Sequence, residues 1–527
     1  MIAEAKRSFA LAKRLPSRFS SQCMFAMLVV ASCSPLFSAT NKADLAAPAI
    51  AVANTPCPTV GCMESLALAQ GWNSSIAVVN PPHHFPNILV DITCFGWCHS
   101  PAQNQAWLAD HVDSSVFGNV SDMDNTVAMN PQLTGYAYAL LWYTLDDSTP
   151  DPYNLGDKWQ HDLASWAAAR GFGQEQFYLH TAVPTAKCAS PALTSACRLN
   201  TNWGSQTDWY GNLANPHFIE YTQSRAQRMI GSRESRESIF WDTMDSGGLH
   251  AHSCGANFPS LEYGNSCDLY EQNLIQLVVK VREALGGRLV QVNTAGYTSA
   301  VDPYNGSVAI AAGSIQAEGM NSPFGEYSEL WSYIDDMLAA GVTVAFTADW
   351  YTQESELTGL GKWSQWKTSY TGGNYPSGLS RYEMTTLAQH YMLTPSPLAG
   401  NFYWNPNPQD WSVAYPKQWL PAVEVDLGPP VDSSRVLAGS GYDGAGQSYD
   451  LYRREFSRAY VYARPMKKYT NTAWDDSTAI PILLPEENLS LLKQNGRSTP
   501  VHGNSIWLRN GEGVILLRST DIAAGVR

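Results

Sequence analysis

The sequence predicts an α/β chain, a (β/α)8 TIM barrel followed by a small C-terminal antiparallel β-sandwich domain. Three observations carry that expectation. From Phe85 onward, short apolar runs alternate with segments of helical period, the pattern of a parallel sheet wrapped by helices. Eight such runs can be counted, and eight strands close a barrel. Beyond Gly428-Pro429-Pro430 the texture changes to short β-like runs separated by Gly and Asn turns.

In chain order, residues 1–40 read as an export signal. Lys6, Arg7, Lys13, Arg14 and Arg18 precede the apolar run Cys23 to Cys33, which is too short to span a bilayer comfortably. Val30-Ala31-Ser32-Cys33 resembles a bacterial lipobox, which would make Cys33 the lipidated first residue of the mature chain; cleavage after Ala39 is the alternative. An exported location follows: periplasmic, cell-surface through a lipid on Cys33, or extracellular. Residues 41–84, rich in Ala, Pro, Thr and Asn, read as a linker or N-terminal extension with one small disulfide loop. The barrel is expected over 85–428 and the C-terminal β domain over 429–527.

The expected strands are Asn87–Thr93, Gly135–Thr144, Gln176–Val183, a fourth opening at Ser238, then Arg288–Gly296, Gly313–Met320, Val342–Trp350 and Asn401–Asn407. Helical spacing falls between them over Asp157–Arg170, Pro216–Ile230, Tyr270–Gly286, Tyr327–Gly341 and Ser380–Leu393, with a last helix-like segment over Trp411–Leu427. The Gly-Gly pair at Gly286 marks a helix C-terminus. After Pro430 the runs YDLYRREFSRAYVYARP, AIPILLP, SIWLRN and GVILLRS suggest a small sandwich packed on the barrel.

Charge and cysteines narrow the function classes. The first 40 residues hold five basic residues and one acid, so without them the formal charge moves from −14 to −18. A chain this acidic has no electrostatic footprint for nucleic acid and suits a neutral or cationic substrate. Eight cysteines beyond the leader come as near neighbours, Cys57 with Cys62, Cys94 with Cys98, Cys188 with Cys197 and Cys254 with Cys267. In an exported chain that spacing favours local disulfides over a metal centre.

The chemistry is expected at the strand ends. SIFWDTMDS, Ser238 to Ser246, runs from an apolar strand into Asp242 and Asp245 before a Gly-Gly pair, and barrels keep their active sites where strands yield to loops at the C-terminal face. Asp91, Glu318 and Asp349 stand in like positions. Glycoside hydrolysis needs two carboxyl groups, one to protonate the leaving oxygen and one to act as nucleophile or to activate water. Asp242 is expected as nucleophile or base and Glu318 as the acid, with Ala317 and Gly319 leaving room for a sugar. Alternation turns Phe240 and Asp242 inward and leaves Asp245 to bind a hydroxyl at the rim. His180, Asn293, Asp349 and Trp350 end their strands with polar or aromatic groups, and Trp97, Tyr143, Tyr297 and Trp404 are candidate stacking platforms. The expected partner is a carbohydrate, with no cofactor and no metal.

The motifs VDIT, FWDTMDSGG, VNTAG, QAEGM and the late REFSRAYVYARP resemble the glycoside hydrolases grouped as glycosyl-hydrolase-like family 15, over roughly Phe85 to Leu517. In that group an Arg-x-Phe is followed by a strand ending in Asn-Pro, whereas this chain ends it Ala463-Arg464-Pro465. The resemblance implies a barrel and a carbohydrate substrate, and its strand-four Asp and strand-six Glu match Asp242 and Glu318.

Two other readings compete. His250-Ala251-His252, His83-His84 and His99 would suit a metal-dependent hydrolase, but an H-x-H pair in such barrels ends a strand, and this one falls in a Gly- and Cys-containing loop. A non-catalytic, surface glycan-binding lipoprotein would have no need of both strand-end acids. Asp122-Met123-Asp124-Asn125 begins like a calcium loop but lacks the central Gly and closing acid.

Overall fold

A computed structural model describes residues 87–92, 102–118, 120–139, 143–145, 159–199, 208–230, 233, 237–242, 260–264, 267–293, 303–317, 327–349, 380–395, 400–405, 421–465, 478–493 and 496–518. The expected leader (1–40) and linker (41–84) lie outside them.

The elements follow in the order β1 (Asn87–Ile92), α1 (Ala102–His111), β2 (Ser114–Phe117), α2 (Val120–Met129), β3 (Thr134–Ala139), β4 (Tyr143–Leu145), α3 (Trp159–Ala168), β5 (Asp208–Tyr210) and α4 (Pro216–Ile230). Next come β6 (Glu237–Trp241), α5 (Cys267–Ala284), β7 (Val290–Asn293), α6 (Pro303–Ala312), β8 (Gly313–Ala317), α7 (Tyr327–Ala339), β9 (Thr343–Asp349), α8 (Ser380–Leu393) and β10 (Asn401–Asn405). Eight strands close a parallel barrel in the ring order β1-β2-β3-β6-β7-β8-β9-β10. The register runs from Asp91 to Val116 and Tyr136, steps up to Tyr138, Phe240, Gln291, Ser314 and Thr343, steps again to Ala345 and Asn401, and returns to β1 at Asn87. That offset is a stagger of about eight residues, the value at which eight tilted strands close.

Alternation gives each strand two faces. Of the outward series, Ile88, Phe117, Ala137, Ile239, Trp241, Val292, Ile315, Val344 and Phe346 are fully buried and apolar. The series meets the helices: Met123 and Val127 of α2 occupy the space beside Gly135, where a Cβ would lie 2.7 Å from Met123 Cγ, and Phe346 packs edge-on to His390 of α8. The inward set is more polar. It includes Tyr136, Tyr138, Phe240, Gln291, Ser314 and Gln316, all buried. The glycine stop at the end of α5 is present: Gly286 and Gly287 adopt φ of 70° and 82°, and the Gly287 N–H donates to Arg282 O at 2.8 Å, which caps helix carbonyls as expected.

Seven of the eight expected strands are barrel strands; the remaining one is corrected, and one barrel strand was not expected. The second barrel strand is β2, four residues long, within a helix–strand–helix stretch that shows no clear apolar period. The run Gln176–Val183 is no barrel strand; it opens as a 3-10 turn (Gln174–Phe177) and continues through isolated bridges, Tyr178 with Gly211, His180 with Arg198 and Thr181 with Ser260. It belongs to a long excursion between β3 and β6 that also holds α3 and the antiparallel ribbon β4–β5. The run Gly135–Thr144 forms the third barrel strand and ends at Ala139, so Tyr143 falls in β4. The Asp122 segment is helical, within α2.

The C-terminal region is antiparallel, as expected: β11 (Val436–Tyr442), β12 (Ser448–Phe456), β13 (Ala459–Ala463), β14 (Ile480–Leu483), β15 (Leu489–Leu492), β16 (Ser498–Pro500), β17 (Ser505–Leu508) and β18 (Gly513–Arg518). A six-stranded sheet, β11-β12-β13-β18-β15-β16, faces the two-stranded sheet β14–β17. Tyr460, Tyr462, Val514 and Leu516 fill the space between them with Ile480, Ile482 and Leu508. The other face, with Phe456, Val461, Ala463, Ile515 and Leu517, joins the barrel core, where Tyr391 of α8 packs edge-on to Phe456. Among the described residues, no helix is long and apolar enough to cross a membrane.

Candidate active site

The site is built where β3, β6 and β7 end. Asp242 follows β6 directly, and its N–H donates to Ala139 O at 3.1 Å, so the parallel ladder continues through it and fixes its backbone. Phe240 and Asp242 share the inward series by alternation. Tyr138 rises from β3 on one side and donates its phenol to Asp242 Oδ2 at 2.5 Å. Asn293, the last residue of β7 on the other side, donates Nδ2 to Asp242 Oδ1 at 2.9 Å. Both oxygens of one half-buried carboxylate are thus held by donors from the two neighbouring strands.

The surroundings make this arrangement rigid. Tyr138 stacks on Phe240 with ring centroids 5.8 Å apart and planes 28° apart, and it is buried. Tyr136, two residues earlier on the same face, is enclosed, and burial pushes its phenol up to about 12. Beneath Asn293 the inward face carries Gln291 and Ser314 as register partners. The Gln291 amide, Ser314 Oγ and Gln316 Oε1 make no hydrogen bond among the described residues. The floor is therefore polar, where such barrels are dominated by branched apolar side chains.

No family model matches the chain, so the resemblance to glycosyl-hydrolase-like family 15 finds no support there. No curated protein sequence is significantly similar to it. Solved structures similar to it include Eubacterium rectale Amy13B, at 9% identity over 84% of this chain and 98% of that one, with a TM-score of 0.44. An Anoxybacillus alpha-amylase matches at 8% identity over 83% and 99% of the two chains, TM-score 0.40. The glycoside hydrolase domain of PelA from Pseudomonas aeruginosa matches at 12% identity over 53% and 90%, TM-score 0.30. At this identity and superposition, nothing these proteins do is carried over to the chain.

Of the residues expected at the site, the structure brings Asp242 and Asn293 together. Tyr138, which sequence reading passes over, completes the cluster; its one cue is the Tyr-x-Tyr alternation of Tyr136 and Tyr138 against small Gly135, Ala137 and Ala139. Asp91 lies on β1 in register with Val116, Asp349 ends β9 in register with Asn405, and Trp404 lies on β10 in register with Val90 and Ala348. Glu318, Asp245, Trp97, Tyr297 and Trp350 fall outside the described residues, as do His83, His84, His99, His250 and His252.

His180 is corrected from a mouth residue to a buried junction. Its ring is fully buried, with Nδ1 2.8 Å from Glu262 Oε1 and Nε2 3.3 Å from Glu175 Oε2, and its backbone N–H donates to Glu262 Oε2 at 3.0 Å. Arg198 forks onto Glu175 with bonds of 2.9 and 2.5 Å. Burial pulls both carboxyls upward. Opposing it, the bonds from Arg198 and His180 on Glu175, and from His180 and Ser260 on Glu262, prevail and hold both below the usual range. The junction ties the excursion after β3 to residues 260–264, beyond Asp242 on the connection between β6 and α5. Tyr143 moves likewise from the end of a barrel strand to the β4–β5 ribbon.

Proposed function

We propose that the chain is an exported glycoside hydrolase that cleaves an extracellular poly- or oligosaccharide, with Asp242 as nucleophile or general base and Glu318 as general acid. The observation that carries the reading is the half-buried carboxylate of Asp242 at the end of the fourth barrel strand, oriented on both oxygens by Tyr138 and Asn293. Preorganised donors of this kind hold a reacting group in one geometry before substrate arrives. Glu318 follows Ala317, the last residue of β8, and stands two residues beyond Gln316, so strand alternation supports it as the partner acid. The motif resemblance to glycosyl-hydrolase-like family 15 supports the same pair. Asp91, Asp245, Asp349 and Trp350, with Trp97, are proposed to line the sugar site, whereas Trp404 shares the outward series of Phe346 by alternation and is left out of it; lipidation of Cys33 is proposed to anchor the mature chain.

The pair is tested with natural polysaccharides beside a panel of 2,4-dinitrophenyl α- and β-glycosides, whose leaving group departs without protonation. Asp242→Asn is expected to lose both activities by at least about a thousandfold. Glu318→Gln should lose turnover of the natural glycan yet keep rapid release of the first equivalent of dinitrophenolate, since that departure needs no acid; where Asp242 is the nucleophile, later turnovers slow because Glu318 also activates the water that frees the glycosyl-enzyme. Full turnover in both variants on a glycan cleaved by the wild type would refute the assignment. Binding of glycans without cleavage of any would favour a glycan-binding surface protein instead.

A further inference from the structure

We propose that Tyr138 is a positioning residue for this reaction, one that locks the Asp242 carboxylate in a single orientation. The inference rests on the glycosidase reading for its catalytic consequence, but the contact itself is open to direct measurement. The oxygen–oxygen distance of 2.5 Å lies at the short end of the range for a hydroxyl donating to an ionised acceptor. Asn293 Nδ2 can only donate, and it occupies the other oxygen at 2.9 Å. With a donor on each oxygen, from strands on either side, the plane of the carboxylate is fixed. Neither donor is free to swing away. Tyr138 is the register partner of Phe240 on the adjacent strand and stacks on its ring, and Asn293 ends β7.

During turnover the phenol keeps its proton. As Asp242 attacks the anomeric carbon, or takes a proton from the attacking water, the bond from that carbon to the leaving oxygen breaks and the leaving oxygen receives its proton from Glu318. The phenol donates without transferring. It sets which lone pairs of Asp242 remain available and where they lie, and Asp242, not Tyr138, makes contact with the substrate.

The test uses the full chain with Tyr138→Phe, which keeps the ring and its stacking on Phe240. With the aryl glycoside cleaved best by the wild type, kcat should fall about 10- to 100-fold while KM changes less than about threefold, and a crystal structure of the variant should show the Asp242 carboxylate turned from its wild-type plane or split between two orientations. A wild-type orientation with unchanged kcat would overturn the positioning role even if Asp242→Asn were inactive. Turnover surviving in Asp242→Asn would overturn the glycosidase assignment instead, leaving the carboxylate orientation in Tyr138→Phe to judge the Tyr138 contact alone.

Discussion

Asp242 and Asn293 were legible in the sequence because each ends an apolar strand in a polar side chain, and strand ends place such residues at one rim. Tyr138 was not, because a tyrosine inside an apolar strand looks the same whether its hydroxyl meets a carboxylate or packs under a loop. His180 shows the reverse: a polar residue in an apolar run, QFYLHTAV, that resembles a strand end yet lies buried between Glu175 and Glu262. These glutamates make a pH prediction at the residue scale. Both carboxyls are held below their ordinary value in the folded chain, so the unfolded chain takes up protons first as pH falls. The stabilisation is therefore complete above the unfolded value of about 4.5 and is lost as pH drops through the lower folded value. Glu262→Gln should weaken the fold at pH 7 and flatten the loss of stability between about pH 5 and 3, as read by urea unfolding across that window. A variant with the wild-type pH slope would show that the His180 junction contributes nothing to acid sensitivity.

At the element scale, seven of the eight barrel strands were readable; β2 was not, and one run outside the barrel mimics a strand. β2 is Ser-Ser-Val-Phe, too short and too polar at its start to present an apolar run, although Val116 and Phe117 are fully buried. The run at Gln176–Val183 has strand composition, but Phe177, Tyr178 and Leu179 are buried within the excursion rather than in the barrel. Composition reports burial; it does not report which surface does the burying. Of the four expected cysteine pairs, three have members outside the described residues, Cys57, Cys62, Cys94, Cys98 and Cys254, and Cys188 and Cys197 are joined, with Cα atoms 4.9 Å apart. Their loop is pinned at both ends, by Thr185 N–H to Cys188 O at 2.7 Å and Thr181 N–H to Cys197 O at 2.8 Å. The latter bond lies beside His180, so the disulfide braces the same junction. Replacing both cysteines with serine should cost about 2–3 kcal/mol by the loop-entropy estimate, seen as a lower urea midpoint. Wild-type chain with this bond reduced should match the double variant; equal midpoints for oxidised wild type and variant would remove the bracing role.

At the scale of the molecule, α8 belongs to two structures at once. From Met384 to Thr394 every residue is buried, with Phe346 of the barrel on one side and the six-stranded sheet on the other, where Gly513 approaches so closely that a Cβ would lie 2.7 Å from Ala388 Cβ. Arg454 of β12 closes this joint. Its fully buried guanidinium donates to the carbonyls of Tyr391 at 2.8 Å, Pro395 at 2.9 Å and Thr394, and more weakly to Asp432 and Ser433. The last carbonyls of a helix have no partner within it, and here a residue of the β region supplies them. The Arg-x-Phe of the late sequence motif is therefore a docking device, since Phe456 packs on Tyr391 while Arg454 caps the helix that carries it. Arg454→Ala leaves several buried carbonyls unpaired and should cost about 3–5 kcal/mol, within the range for removing one member of a buried charged network. Arg435, which forks onto Asp335 of α7 at 2.8 and 2.5 Å from a partly exposed position, is the control, and Arg435→Ala should cost under about 1 kcal/mol. Because α8 lies in both cores, wild type is expected to unfold in urea as one transition and Arg454→Ala as two, the β region separating first. A single transition with an unchanged midpoint in Arg454→Ala would mean that apolar packing alone joins the β region to the barrel.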